Sequence, residues 1–343
     1  MKFSVVLSLY NKQAFVRRAL ESVLCQSYSD FELIVIDDGS TDGSLSVVRG
    51  IASNDARVRI ISQANAGPGM ARNAGVREAR YSWVALIDAD DAWRSDHLAE
   101  IARLISDFPH ARIVTTRLQE AHTGDNGHTR MQPAGDVLRR GQVDYFHESA
   151  LRSDFIHSSS VAIAREVFET VGYFSSHPRG EDQELWARVC LAYPCAASSA
   201  ATAYYYRGTG GIMEQLWEKN RTERLEPPAS LSDLTRAVAY LALRLPSLKS
   251  ERPQVYVSVA EYINARVTIA LRVHLYSGNV HSLFHISSLY LRPFDRRTRY
   301  WRAVVRNTPP VFLKGFYRGR QLAKFGYQLS NGVASRIKSV TRS

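Results

Sequence analysis

A chain of 343 residues exceeds one average domain and can bury a large core. Its charged fraction of 22% and hydrophobic fraction of 45% are those of a globular protein and set aside a disordered chain. The net charge of +11 is uneven: residues 231–343 hold 19 Lys and Arg against 4 Asp and Glu, while residues 1–230 are net acidic, so two parts with different electrostatic tasks are expected.

The three cysteines, Cys25, Cys190 and Cys195, form no Cys-x-x-Cys pair. They indicate neither a disulfide framework nor a zinc site and suit reduced thiols in the cytosol. No apolar segment approaches the roughly 18–20 residues of a membrane span. The N-terminus runs directly into a strand, without a signal-peptide pattern.

Phe3–Leu9 reads as the first strand. Phe15/Val16, Ala19/Leu20 and Val23/Leu24 have helical spacing over Lys12–Gln26. Phe31–Ile36 is a second buried strand ending in Asp37-Asp38-Gly39-Ser40, where Ser40 or Thr41 can cap a helix reaching about Ala52. Val58–Ser62 is a third strand. Gly67-Pro68-Gly69 breaks the chain before a helix through Arg72, Asn73 and Val76. Trp83–Ile87 is a fourth strand, and Asp96–Asp107 a helix with Ser95 or Asp96 as its cap. This alternation predicts a mostly parallel sheet flanked by helices.

Beyond Ala111 the pattern loosens. Ile113–Leu118, Ser160–Ile163 and Ala196–Tyr206 read as strands, residues 120–135 as a surface loop, and Glu181–Leu191 as a helix opened by two acids. Pro227-Pro228 marks an expected boundary. It separates a domain of residues 1–228, with halves of about 1–110 and 111–228, from a helical, basic region of residues 229–343. Helices are expected at Leu231–Leu245, Val255–Ser277 and His281–Leu291.

Three polar clusters follow strands at one sheet edge, where open α/β sheets bind ligands. They are Leu9-Tyr10-Asn11, Asp37-Asp38-Gly39 and Asp88–Asp91. Carboxylates packed as closely as Asp88, Asp90 and Asp91 repel unless a cation, a proton or a donor relieves them. A hard divalent ion does so and can also grip a diphosphate. The alternative is a polar strand-to-helix turn. Asp37 and Asp38 can likewise accept a nucleobase N–H or ribose hydroxyls, or simply bond nearby backbone N–H groups.

Four stretches together resemble the family-2 glycosyltransferases with the GT-A fold. They are Val5–Asn11, Val35–Asp42 (Val-Ile-Asp-Asp-Gly-Ser-Thr-Asp), Gly67–Gly75 with Ala-Arg-Asn-Ala-Gly, and Leu86–Asp91 (Leu-Ile-Asp-Ala-Asp-Asp). The resemblance covers about residues 1–215. It implies that Tyr10 and Asp38 hold the base of a nucleoside-diphosphate sugar, usually uracil, with Asp37 beside them. It adds Leu9 and Ala89 to the donor-binding set. Arg72 and Asn73 match the Arg-Asn pair beside the donor, and an arginine fork suits phosphate. Asp88 and Asp90 match the Asp-x-Asp motif that meets the ribose and holds Mg²⁺ or Mn²⁺ on the diphosphate.

Glu181-Asp182 match the acidic pair near the acceptor, with Asp182 as general base and Glu181 as its neighbour or substitute. Without the resemblance they read as acids satisfying a helix dipole. Trp186 either stacks on a sugar or sits in the core. His157 and Ser158–Ser160 stand near the acceptor side, with a structural role favoured for His157. The resemblance implies an inverting, metal-dependent transfer of one sugar, UDP-linked, to a hydroxyl of a glycan or glycolipid in surface polysaccharide synthesis. Two departures stand out. No Gln-x-x-Arg-Trp motif follows the acidic pair, as in processive synthases. Tyr206-Arg207 is followed by Gly-Thr-Gly-Gly where many relatives offer a metal-binding histidine, so water is the candidate third ligand.

Residues 292–343 interleave arginines with Trp, Tyr and Phe, a pattern that suits an anionic membrane surface. A dimerising or domain-capping face comes second, and nucleic acid third. A nucleotidyltransferase would need a Gly-rich basic loop where Leu9-Tyr10-Asn11-Lys12 stands. A non-catalytic nucleotide-sugar sensor or scaffold would bind donor without needing Asp182. The expected setting is cytoplasmic, or peripheral on the cytoplasmic membrane face.

Overall fold

A computed structural model describes residues 1–123, 129–131, 140–152, 155–177, 180–210, 234–276, 283–291, 299–300, 303 and 305. Its first half follows the alternation read from the sequence. The elements are β1 (Phe3–Leu9), α1 (Val16–Leu24), β2 (Phe31–Asp37), α2 (Ser44–Ala52), β3 (Val58–Ser62), α3 (Pro68–Glu78) and β4 (Trp83–Asp88). The apolar runs of β1, β2 and β4 are buried on both faces because helices cover both sides of the sheet. Val16, Ala19, Leu20 and Val23 form the buried stripe of α1.

The chain continues through β5 (Ala92–Trp93), α4 (His97–Asp107), β6 (Ile113–Thr123), β7 (Thr129–Met131), β8 (Gly141–Val143), α5 (Tyr145–Leu151) and β9 (Val161–Ala164). Then come α6 (Glu166–Val171), α7 (Glu181–Ala192) and β10 (Cys195–Arg207). The sheet runs β3-β2-β1-β4-β9-β6-β10-β5, with β7 beside β6 and β8 beside β10. β3, β2, β1 and β4 are parallel, so the polar ends of β1, β2 and β4 gather at one edge. β9 inserts antiparallel between β4 and β6. β5 pairs antiparallel with Ala203 and Tyr204 of β10, which pulls the end of β10 over the acidic loop after β4.

Several boundaries differ from the sequence reading. Residues 120–135 are not wholly a loop: β6 continues to Thr123 and pairs with β7, because edge pairing does not need apolar residues. The strand expected from Ser160 starts at Val161, since Ser158–Ser160 form a 3-10 turn capped by the His157 side chain. Helix α2 is opened by neither Ser40 nor Thr41. The Asp42 carboxylate accepts the Ser44 N–H at 2.9 Å instead. Asp96 heads α4 but does not cap it with its side chain; its carboxylate pairs with Arg94.

In the C-terminal region, α8 (Arg236–Ala242) is capped by Thr235 and stops before α9 (Leu245–Glu251), which carries Pro246 in its first turn. Proline lacks the N–H that one continuous helix would need there. α10 (Pro253–Tyr276) and α11 (Leu283–Ser288) follow. α8 packs on α7 and α10 on α5. Tyr262 of α10 lies beside Tyr145 and Phe146, its ring centroid 6.0 and 5.8 Å from theirs. These helices thereby share the core of the sheet domain. Asn264 donates to the Leu291 carbonyl at 2.9 Å and accepts the Leu291 N–H at 2.7 Å, fixing the segment after α11. Pro227-Pro228 and nearly all of the basic tail lie outside the described residues. No helix among the described residues is long and apolar enough to cross a membrane.

Candidate active site

The edge formed by the ends of β1, β2 and β4 carries Leu9, Tyr10, Asp37, Asp38 and Asp88 together. Tyr10 is 47% exposed, so its ring is available to a ligand. Leu9 is buried, and its carbonyl accepts the Asp38 N–H at 2.8 Å. Asp37 is buried and accepts the Ser40 N–H at 3.1 Å. Asp38 is buried as well. Its carboxylate accepts the Gln63 side-chain amide at 2.7 Å and the Ala66 and Gly67 N–H groups, each at 2.9 Å. A carboxylate has about four acceptor positions, so Asp38 pins the loop before α3 with three of them filled.

Helix α3 starts at Pro68, which suits a first turn. It lies close on β1: a Cβ on Gly75 would come within 2.3 Å of the Val6 side chain. This proximity sets Arg72 beneath the strand ends. Arg72 donates to Asp88 Oδ1 at 2.7 Å and to Glu181 Oε1 at 2.8 Å, joining β4 to the start of α7. Burial opposes its charge, but Asp88 and Glu181 outweigh burial and raise its pKa. Asn73 turns elsewhere: its amide donates to the Phe174 carbonyl and accepts the Phe174 N–H, both at 2.9 Å. The structure thus gives Asn73 a clamp on the chain leading to α7, where the sequence suggested a donor contact.

The three acids after β4 differ. Asp88 also accepts Ser8 Oγ at 3.3 Å. Burial would raise its carboxyl, yet the charges of Arg72 and His157, with hydrogen bonds from Arg72 and Ser8, hold it below its usual value. Asp90 has partners of its own: its Oδ2 takes Lys12 Nζ at 2.7 Å and Thr209 Oγ1 at 2.8 Å. Its carbonyl accepts from Arg18 at 2.5 Å. Asp91 is buried and accepts Ser159 Oγ at 2.5 Å and the Tyr206 N–H at 3.2 Å. Burial, then the charges of Asp90 and Asp88, push its carboxyl well above the usual range. Ala89 is buried between them.

Asp88, Asp91 and His157 each offer one ligand atom, all within 4.8 Å of one another. Opposite ligands of an ion bound at 2.0–2.6 Å lie roughly 4–5 Å apart, so the spacing fits a divalent cation. Carboxylate oxygens suit Mg²⁺ or Mn²⁺, and the imidazole inclines the set toward a transition ion such as Mn²⁺. Charge agrees. Asp88, Asp90, Asp91, Glu181 and Asp182 gather around Lys12, Arg72 and His157, so acids outnumber bases in this cluster among the described residues. The sequence reading named Asp88 and Asp90 as the metal pair; the structure brings Asp91 and His157 to Asp88 and turns Asp90 to Lys12.

His157, Lys12, Arg18 and Thr209 were missed as members of this cluster. Strand order brings His157 in: β9 lies next to β4, and the turn before β9 places His157 Nδ1 3.9 Å from Asp91. The only sequence signal was the Gly-Thr-Gly-Gly departure after Tyr206-Arg207. Thr209 occupies that place, and its hydroxyl now answers Asp90.

Glu181 and Asp182 head α7. Glu181 is committed to Arg72; burial raises its carboxyl, Arg72 pulls it back, and Asp182 adds to the rise. Asp182 is half-buried beside it. Trp186 corrects one expectation. It is 0% exposed and meets Phe174 edge-on at 5.7 Å. No ring face remains for a sugar, and the core alternative holds.

Residues 4–172 match the profile of glycosyl transferase family 2. An uncharacterized glycosyltransferase of Nostoc sp., alr2836, is 33% identical over 200 residues, 57% of this chain and 60% of that protein. The uncharacterized glycosyltransferase YibD of Escherichia coli is 43% identical over 90 residues, 26% of either chain. The chain thus spans less than two thirds of the length of the curated relatives it matches. Among solved structures, Staphylococcus aureus TarS 1–349 in complex with UDP-GlcNAc superposes with a TM-score of 0.65 at 19% identity, over 93% of this chain and 92% of that one. The mannosyltransferase PcManGT of Pyrobaculum calidifontis, in complex with GDP-Man and Mn²⁺, gives 0.52 at 16% identity, over 92% and 86%. Profile, relatives and sheet order agree: residues 4–172 carry a glycosyl transferase family 2 domain, and the fold is that of the GT-A glycosyltransferases.

Proposed function

We propose that this protein is an inverting, metal-dependent glycosyltransferase. It moves one sugar from a nucleoside diphosphate, UDP for preference, to a hydroxyl of a glycan or glycolipid in surface polysaccharide synthesis. The observation that carries this reading is the Arg72 bridge. One guanidinium joins Asp88, at the donor edge, to Glu181, beside Asp182, so both sets of acids meet at one point. That TarS was solved with UDP-GlcNAc and PcManGT with GDP-Man and Mn²⁺ supports the donor class and the cation.

Tyr10 stacks on the base, and the remaining acceptor position of Asp38 takes a base N–H or a ribose hydroxyl. Asp88, Asp91 and His157, with Asp90 beside them, would hold Mg²⁺ or Mn²⁺, which supplies Lewis-acid stabilisation of the leaving diphosphate. Arg72 holds Glu181 and leaves Asp182 as the acid free to take the acceptor proton as its oxygen attacks the anomeric carbon. A single displacement inverts that carbon. The C-terminal arginines bring the protein, in the cytoplasm, to an anionic membrane surface bearing a lipid-linked acceptor.

The direct test is a thermal-shift and calorimetric screen of UDP, GDP and their sugars, with and without Mn²⁺. UDP should raise the melting temperature, and more so with Mn²⁺. No response to any nucleotide would sink the reading. For the membrane, a chain ending at residue 306 keeps the buried Val305 and removes most of the basic tail. It should lose flotation with anionic liposomes that the full chain shows.

A further inference from the structure

Lys12 follows Asn11, the one non-glycine residue with positive φ among the described residues, at 49°. That backbone conformation is costly for a side chain other than glycine and persists only where its surroundings impose it. Here they do. Asn11 Oδ1 accepts the Thr41 N–H at 2.8 Å, and the Lys12 N–H donates to Ser44 Oγ at 2.8 Å. The turn after β1 is thereby pinned to the entry of α2, and it sends the Lys12 side chain across the strand edge to the acidic loop. Its ammonium lies 2.7 Å from Asp90 Oδ2 and 3.0 Å from the Thr209 carbonyl, while Thr209 Oγ1 donates to the same Asp90 oxygen. Lysine and aspartate side chains are each only 16% exposed, so solvent screens this pair less than a surface pair.

We infer that Lys12 is a resident counter-ion on Asp90, which a divalent cation displaces and which then turns to the donor diphosphate. The inference rests on the donor and metal reading above. A compact ammonium on Asp90 neutralises a carboxylate next to the Asp88, Asp91 and His157 group, one that the Asp-x-Asp resemblance gives to the metal ion. The two therefore compete for Asp90 before the nucleotide binds. Once displaced, the ammonium remains on a pinned turn beside the acidic loop, and a diphosphate carried by the ion gives it a new anion. Lys12 is thus a positioning residue that opposes the empty metal site and favours the loaded one.

The test uses the full chain and free Mn²⁺, followed by the electron paramagnetic resonance of the unbound ion. Lys12→Met should bind Mn²⁺ alone about tenfold more tightly than the parent, within the range of ordinary coupling between sites. With Mn²⁺ saturating, the same variant should bind UDP more weakly than the parent. Lys12→Arg keeps the charge and should retain the parent's weaker Mn²⁺ binding. Lys12→Gln, which can still hydrogen-bond to Asp90 and Thr209, should follow Lys12→Met and covers the case in which that variant does not fold. Equal Mn²⁺ affinity in parent, Lys12→Met and Lys12→Gln overturns this inference alone. No Mn²⁺ binding by any of them overturns the metal reading together with it.

Discussion

At the scale of single residues, Arg72 has the most to lose. It is buried, satisfies two carboxylates, and its Nε finds no acceptor among the described residues. Removing one partner of a buried ion pair costs about 3–5 kcal/mol, because charge is left unanswered. Arg72→Met should lower stability by about that amount in urea melts, since Asp88 and Glu181 would both be stranded. Arg72→Lys should recover only part, because a single ammonium cannot reach both acids as a fork does. Asp182 makes the opposite prediction. Its half-buried carboxylate carries no ion pair among the described residues. Asp182→Asn should therefore leave melting and UDP affinity unchanged and reduce sugar transfer by roughly 10²–10⁴-fold. Unchanged turnover would remove Asp182 from its role.

Among the elements, α3 couples packing to the site. A methyl on Gly75 would meet the Val6 side chain at 2.3 Å, so the helix must shift from β1 or Val6 must move. Gly75→Ala should cost about 1–3 kcal/mol by overpacking, and it should weaken UDP binding because Arg72 rides on the same helix. The lower urea midpoint and the calorimetric titration check the two halves of this prediction. The same elements show what a sequence can reveal. β1, β2 and β4 were legible because a short apolar run that ends in a polar cluster suits little besides a buried strand reaching a sheet edge. Asp38, Asp88 and the acids of α7 were legible because they lie at element ends. The placement of His157 was not, since it depends on the antiparallel insertion of β9 beside β4. Nor were the partners of Asp90 and Asp91 legible: Thr209 and Tyr206 reach them from 115 or more residues away. Trp186 misled because helical spacing placed it one turn from Asp182 without saying how deep that face lies.

For the molecule as a whole, the C-terminal helices are held to the sheet domain by titratable contacts as well as by apolar packing. His147 of α5 lies 2.8 Å from Glu261 of α10. That hydrogen bond, against some burial, raises the His147 pKa above its usual value. A raised histidine contributes stability fully below its unfolded value of about 6.5 and loses it as pH rises through the folded value. The parent should therefore melt higher near pH 6 than near pH 8 by a margin that shrinks in Glu261→Gln. Half of the His147 side chain is exposed, so the effect should fall with added salt. A margin independent of residue 261 would show that this pair does not help to fasten α10.

Arg72 and Asn73 are successive residues on one rigid rod, so their side chains leave it about 100° apart. One reaches the donor edge and the other grips Phe174, just ahead of the acid pair. The spacing between the strand-edge acids and the chain leading to α7 is then gauged by a single helical turn. The two cannot drift independently: any tilt of that rod detunes both together.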